Sequence, residues 1–125
     1  MTAFQRLERC CGSVEAVEKR FGSEGVTRIG DTLWIAIQRE WADDEAGQVK
    51  LVSYNTDTGE WGAVRYPLEK KGAGWVGLSE ITANGDFAYI VERDNQIGQA
   101  AKLKKLFRVP LSEMTPAPLG GELPL

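Results

Sequence analysis

Carboxylates and arginines gather where two apolar segments of this sequence begin and end. Carboxylates can hold a hard cation such as calcium, which takes several oxygen ligands, and arginines can bind phosphate oxygens in a bidentate geometry. A metal-bound water would then be the nucleophile, which suits a chain that contains no histidine. The candidate catalytic residues are Glu24, Glu80, Glu92 and Arg93.

The predicted metal ligands are three carboxylates of residues 79–98. Glu80 lies at the start of this stretch, and Glu92 and Asp94 follow its apolar run 87–91. Calcium is the expected cation, because carboxylates supply the hard oxygen ligands that it prefers. The alternative is structural: Glu80 and Arg93 would form an ion pair between neighbouring strands and brace the sheet. Residue types alone leave both interpretations open.

The predicted ligands of a phosphate or ester substrate are Gln38, Arg39 and Lys102. In an antiparallel hairpin the start of one strand lies beside the end of the next, so polar groups at strand ends should meet at one edge. Charges that end a buried strand would then be partnered. The acidic loop 40–48 lacks the spacing of a calcium-binding loop and is expected to be solvated.

A tandem repeat is predicted from two similar segments. Residues 23–40 read SEGVTRIGDTLWIAIQRE, and residues 79–98 read SEITANGDFAYIVERDNQIG. The offset is about 55 residues, measured between the glycines of the two Gly-Asp turns, Gly30 and Gly85. Short apolar runs separated by such turns are typical of antiparallel strands, and about four strands in 50 residues form a β-propeller blade.

The predicted fold is all-β, with about two four-stranded antiparallel propeller-like blades. The first blade-like repeat is placed at residues 23–76, and the second at 77–111, where no fourth strand is evident. An outer strand or a short helix is expected in residues 1–22, and a turn-rich tail in 112–125. Propellers close with about four to eight blades. The chain is therefore expected to form a homo-oligomer, to belong to a longer propeller, or to pack its two sheets as a sandwich.

Composition narrows the class of protein. The hydrophobic fraction of 42% is that of a globular chain, and the net charge of −3 gives no basic surface for nucleic acid or an anionic membrane. Neither nucleic acid nor a membrane is an expected partner, since no apolar run approaches the roughly 18–20 residues of a membrane span. Cys10 and Cys11 are expected to be free thiols, and nothing in the N-terminal residues reads as a signal peptide.

Three stretches of the sequence resemble one family. The phrases SEGVTRIGDTLWIAIQ, GLSEI and YIVERDNQIGQAAKLKKLFRV are similar to the bacterial phytase-like proteins, which are described as having an esterase-like activity of phytase. The resemblance covers about residues 21–111, and its most distinctive motif is E-R-D-N-Q-x-G-x-x-A-x-x-K. It implies a propeller-like fold, a periplasmic or extracellular location, and a small-molecule phosphate or ester ligand.

These observations predict a segment of a phytase-like propeller that could hydrolyse phosphate or carboxylic esters through a carboxylate and arginine face with a bound metal. The alternatives are a non-catalytic binding or scaffold module and a fragment without independent activity. Whether the chain is an enzyme stays open at this point, because no nucleophile elbow, P-loop or histidine-based triad is present.

Overall fold

The computed structural model describes residues 22–69 and 74–119 of the chain. Within these ranges the fold is nearly all β, with eight strands in two antiparallel sheets, which confirms the predicted class. The strands are β1 (Ser23–Ile29), β2 (Thr32–Ile37), β3 (Gln48–Asn55), β4 (Trp61–Pro67), β5 (Val76–Asn84), β6 (Phe87–Asp94), β7 (Lys104–Pro110) and β8 (Ala117–Pro118). No helix in these ranges has the length and apolar character that crossing a bilayer would need. The strand or helix predicted for residues 1–22 falls almost wholly outside the described residues.

The first sheet has the strand order β1-β2-β3-β4-β8, and the second has the order β5-β6-β7. Both sheets begin with a hairpin closed by a Gly-Asp turn, in which Gly30 has a φ of +59° and Gly85 a φ of +61°. Glycine at the first central position is what a tight two-residue hairpin turn requires, because other residues avoid positive φ. The division of the chain into repeats and domains stays a prediction.

Strand β8 lies in the tail that the sequence pattern predicts to be turn-rich. It pairs with β4 through Gly62 and Pro118 and through Ala63 and Ala117. A proline is tolerated there because β8 is the edge strand of its sheet. The chain therefore returns from the second sheet to the outer edge of the first.

The two sheets share one apolar core. The first strands of the sheets lie side by side, since the backbone N–H of Ala83 in β5 donates to Thr27 Oγ1 in β1 at 2.9 Å. The backbone N–H of Leu78 also donates to the carbonyl of Gln38, at 3.1 Å. The buried residues of this core are Trp34, Ala36, Val49, Leu51, Val64, Tyr66, Leu78, Ile81, Ala88, Ile90 and Met114.

The first sheet is buried on both faces. A second cluster occupies the face turned away from the second sheet, and it is made by Ile35, Ile37, Trp41, Val52, Trp61 and Ala63. Residues 34–37 are consequently all buried, although neighbours in a strand point to opposite faces. This explains why the sequence of β2 is apolar at consecutive positions instead of alternating.

The acidic loop 40–48 is anchored to the first sheet, so the expectation of a solvated loop is wrong for its central aspartate. Lys50 Nζ lies 2.6 Å from Asp44 Oδ1 and 3.0 Å from Asp43 Oδ1, and both the Lys50 and Asp44 side chains are almost fully buried. Lys50 Nζ also lies 4.4 Å from the centroid of the Trp41 ring. A buried ammonium is tolerable here because it is paired and hydrogen-bonded.

Gly25→Ala should destabilise the protein by about 1–3 kcal/mol, the usual cost of forcing extra atoms into a packed region. A Cβ on Gly25 would overlap Glu80 Oε1 and would lie 2.9 Å from the backbone N of Ile81, so β1 and β5 would have to separate. Urea denaturation measures the free energy of unfolding. Gly22→Ala is the matched control, since a Cβ at Gly22 meets nothing within 4 Å. Equal losses in the two variants would contradict the close packing of β1 on β5.

Candidate functional site

Two arginines from different sheets meet on one tryptophan. Arg39 follows β2 and its Cζ lies 4.8 Å from the centroid of the Trp75 ring, while Arg93 near the end of β6 places its Cζ 5.8 Å from the same centroid. Arg39 Nε is also 3.2 Å from Glu40 Oε1, and Arg93 Nε donates to Ser79 Oγ at 2.7 Å. We call Arg39, Trp75 and Arg93 the Arg–Trp–Arg cluster. It brings together two of the residues that the sequence predicts for a site.

A cavity of about 310 Å³ opens beside this cluster. Arg39 and Trp75 line it together with Glu40, Leu68 and Val76. The segment that carries Trp75 is fixed by a hydrogen bond of 3.0 Å, which its backbone N–H donates to the side chain of Asn95. Guanidinium groups held at such an opening suit an anionic oxygen group, because they donate paired hydrogen bonds in one plane.

Gln38 lies beside the cluster but is buried, with 6% of its surface exposed. Its backbone N–H donates to the carbonyl of Gly22, and its carbonyl accepts from Leu78, each at 3.1 Å. The side chain packs against Gly77. In the structure Gln38 therefore joins the two sheets through its backbone, and its predicted role with a substrate stays a prediction.

Glu92 points from β6 into the space between the sheets and is 1% exposed. Glu92 Oε2 accepts a hydrogen bond from the Tyr66 hydroxyl at 2.7 Å, and Oε1 accepts one from the backbone N–H of Glu69 at 2.8 Å. Burial raises the pKa of Glu92, in spite of these two hydrogen bonds, which favour the charged form. Burial and the neighbouring Glu92 also raise the pKa of Tyr66, so this hydroxyl remains the proton donor of the pair.

Asp94, the last residue of β6, organises the loop that leads to β7. Its side chain is fully buried, with Oδ1 at 2.6 Å from Lys104 Nζ and Oδ2 at 2.6 Å and 2.8 Å from the backbone N–H groups of Lys102 and Leu103. These contacts, with Lys104 foremost, lower the pKa of Asp94. The predicted substrate ligand Lys102 thus contributes a backbone N–H here, and its side chain is exposed.

Glu24 and Glu80 lie where β1 and β5 meet, and both are exposed. Glu24 lies in a β-bulge between Ser23 and Gly25, and Glu80 follows a similar irregularity after Leu78. Glu80 Oε1 accepts a hydrogen bond from the backbone N–H of Ile81 at 2.9 Å. The face of β5 on which Glu80 lies depends on this irregularity and was not predictable from spacing.

The three predicted metal ligands do not share a site. Glu80 pairs across the sheet with Val91, which places it on the face opposite to that of Glu92. The carboxylate oxygens of Asp94 already accept from Lys104 Nζ and from backbone N–H groups. In residues 22–69 and 74–119, no three acidic, cysteine or histidine side chains are grouped so that they could hold a metal ion. These residues do not fit a shared calcium ion, which needs about six to eight oxygen ligands, and the calcium site stays a prediction.

The sequence pattern does not single out Trp75 or Tyr66 as site residues. Tyr66 lies 26 positions before Glu92, its hydrogen-bond partner, so only the packing of the sheets joins them. Trp75 comes just before β5 and reads as a core residue. An arginine lies at the end of each of the two apolar runs, but only the packing of the two sheets brings both arginines onto the Trp75 ring.

The fold is that of an all-β protein built from adjacent blade-like sheets. A family model described as Phytase-like: Esterase-like activity of phytase matches residues 4–121. The chain therefore belongs to this phytase-like family, which is a β-propeller family, and the resemblance read from the sequence is confirmed. The described residues form two adjacent sheets and do not by themselves close a ring. No curated protein and no solved structure matches the chain.

Asp94→Asn should lower the thermal unfolding midpoint, because it removes the charge that Lys104 and the loop N–H groups contact. Since the pKa of Asp94 is lowered in the folded protein, its charge stabilises the fold above the ordinary aspartate pKa of about 4. That contribution is lost as the pH falls below this value, so the difference between the original protein and the variant should shrink in acid. Circular dichroism melts over a pH series measure it.

The control for Asp94→Asn is Asp57→Asn, since Asp57 lies in an exposed turn. Its midpoint should follow that of the original protein at every pH. A deficit of Asp94→Asn that is the same in acid as at neutral pH would contradict a stabilising charge at Asp94.

Glu92→Gln should change the pH dependence of stability in the opposite sense. The pKa of Glu92 is raised in the folded protein. At a pH just above the ordinary glutamate pKa of about 4.3, Glu92 is therefore still protonated in the folded protein but ionised in the unfolded chain. Stability therefore falls as the pH rises through this window. Glutamine cannot ionise, so the variant should lack this slope in urea denaturation. Glu113→Gln, at an exposed glutamate, is the control, and identical slopes for Glu92→Gln and the original protein would contradict the prediction.

Proposed function

We propose that this chain is the part of a phytase-like propeller that binds a phosphate ester, or the oxyanion formed when a carboxylic ester is attacked, at the Arg–Trp–Arg cluster. The observation that carries this proposal is the placement of Arg39 and Arg93, from two sheets, on the ring of Trp75. Preorganised cationic donors at a developing negative charge are a large source of catalytic stabilisation. Membership of the phytase-like family supports a phosphate or ester ligand as the class to test.

A hydrolytic role would also need acid–base residues, and the predicted carboxylates are the candidates. Glu24, Glu80 and Glu92 are the proposed acid–base residues, and Lys102 is a proposed second contact for the phosphate. The raised pKa of Glu92 suits a proton donor, but its side chain lies on the face of β6 opposite to that of Arg93, which weighs against contact with a group held at the cluster. Calcium is a proposed cofactor although Glu80, Glu92 and Asp94 do not share a site, and adding the ion or a chelator tests it.

The second candidate function is a non-catalytic binding or scaffold module. One observation favours it: Glu80 and Glu92 lie on opposite faces of the second sheet, so they do not converge on one group. A binding module needs only the Arg–Trp–Arg cluster and not the carboxylates. Turnover separates the two candidates, because only the first requires the carboxylates.

Completion of the propeller is part of the proposal. Leu106 on β7 and Val26 on β1 are large apolar residues that are 64% and 59% exposed. Further blades, from copies of this chain or from a longer chain, would cover such residues. Light scattering over a concentration series, with and without calcium, tests self-association: a discrete oligomer supports a ring of copies, and a stable monomer argues against it. A location outside the cytoplasm is proposed from the family alone.

Arg39→Gln and Arg93→Gln should each weaken the binding of phenyl phosphate about tenfold or more, because a hydrogen bond to a charged group contributes about 1.5–3 kcal/mol. Isothermal titration calorimetry measures the dissociation constants. Arg28→Gln is the matched control, because Arg28 is an exposed arginine of β1 whose Nε bonds only the nearby carbonyl of Gly30 among the described contacts. Undiminished binding by both variants would overturn the proposed site.

Turnover is measured with 4-nitrophenyl phosphate and 4-nitrophenyl acetate, with added calcium or with a chelator. Hydrolysis that is lost in Glu80→Ala and Arg93→Ala supports the hydrolase. Hydrolysis that survives both substitutions contradicts the assigned residues. Phosphate binding without hydrolysis in any condition supports the binding module.

A further inference from the structure

A second cavity, of about 370 Å³, lies between the two sheets on the inner side of β6. It shares no lining residue with the cavity beside the Arg–Trp–Arg cluster. Its size falls within the range of about 300–1,000 Å³ that is usual for small-molecule sites. Leu51, Val64, Val109 and Met114 give it an apolar floor, and Tyr66 and Glu92 form a polar wall. We call this space the inter-sheet cleft.

The two arginines along the inter-sheet cleft, Arg65 and Arg108, direct their side chains elsewhere. Arg108 Cζ lies 4.4 Å from the centroid of the Phe87 ring, on the outer face of the second sheet. Arg65 is flanked in β4 by residues that face the cleft, so its own side chain faces the opposite side of the first sheet. Its cross-strand partner Lys50 faces that same side, where it contacts Trp41. The side chains of these two arginines therefore do not neutralise the cleft.

The charges that face the inter-sheet cleft are mainly acidic. Its lining includes Glu69, Glu92 and Glu113. Lys105 Nζ lies 2.9 Å from Glu69 Oε1 and pairs with that residue. Among the described residues, Glu92 has two hydrogen-bond donors but no ion pair. Lys105 lies across from Glu92 on the same face and favours its charged form, but it forms its ion pair with Glu69, so the two carboxylates share one ammonium. A second cation in the cleft would supply the missing counter-charge.

We propose that the inter-sheet cleft binds an organic cation, namely a primary ammonium group on an apolar stem. An ionised carboxylate has about four acceptor positions, and the known contacts of Glu92 use two of them, so an ammonium N–H has an acceptor available. The stem packs on the apolar floor, where each buried methylene contributes about 0.8 kcal/mol. The carboxylate wall disfavours an anion. This ligand is opposite in charge to the one proposed for the Arg–Trp–Arg cluster.

The first test titrates the unaltered protein with hexylammonium, hexanol and hexanoate, which share one stem and differ in charge. Calorimetry should show hexylammonium binding about tenfold or more tightly than hexanol, and hexanoate binding more weakly still. Equal affinity for hexylammonium and hexanol, or no saturable binding of hexylammonium, would overturn the proposal. This comparison needs no variant, so it does not depend on the folding of one.

The second test locates the ammonium group. Glu92→Gln should weaken hexylammonium about tenfold while leaving hexanol unchanged. Glu45→Gln, at an exposed residue of the 40–48 loop, is the control for a simple loss of charge. Arg39→Gln should leave hexylammonium affinity unchanged, which separates this cleft from the phosphate site. Hexylammonium affinity that is the same in Glu92→Gln and the original protein would overturn the assignment to this cleft.

Discussion

The close approach of β1 and β5 is the constraint on which the rest of the structure depends. The backbones come so near that Gly25 faces Glu80 and Gly77 faces the carbonyl of Gln38, with no room for a Cβ at either glycine. This approach brings the inner faces of the sheets together over one apolar core. It also fixes where the ends of β2 and β6 lie, and thereby places Arg39 and Arg93 on Trp75.

Three buried charged groups in this fold are stabilised in different ways. Lys50 is held by two aspartates, and Asp94 is held by Lys104 and backbone N–H groups. The charges of both groups are compensated by contacts within the fold. Glu92 has hydrogen bonds without a direct ion pair, and burial raises its pKa in spite of those hydrogen bonds. A buried ionisable group whose charge is left unpaired and which lines a cavity is the one that suits chemistry or binding.

The sequence predicted the features that local physics decides. Gly-Asp turns require glycine at positive φ, as Gly30 and Gly85 show, and a run of consecutive apolar residues indicates a strand buried on both faces. The face that a charge occupies could not be predicted. The irregularity in β5 between Leu78 and Glu80 shifts the alternation by one residue, and that shift separates Glu80 from Glu92. The pairing of Tyr66 with Glu92 likewise depends on how two sheets pack.

Strand β6 ends in residues of opposite charge, and these are separated because successive side chains of a strand point to opposite faces. Glu92 points inward to the inter-sheet cleft, and Arg93 points outward to Trp75. Asp94 points inward again, where it accepts hydrogen bonds from backbone N–H groups of the following loop. It also forms an ion pair with Lys104 at the start of β7. This last contact holds the register of the strand, because a slip of one residue would turn Arg93 into the core and Glu92 to the outside. The contacts of Asp94 therefore help to keep Glu92 in the inter-sheet cleft and Arg93 on Trp75. The three charged residues at the end of β6 thus lie in three different environments.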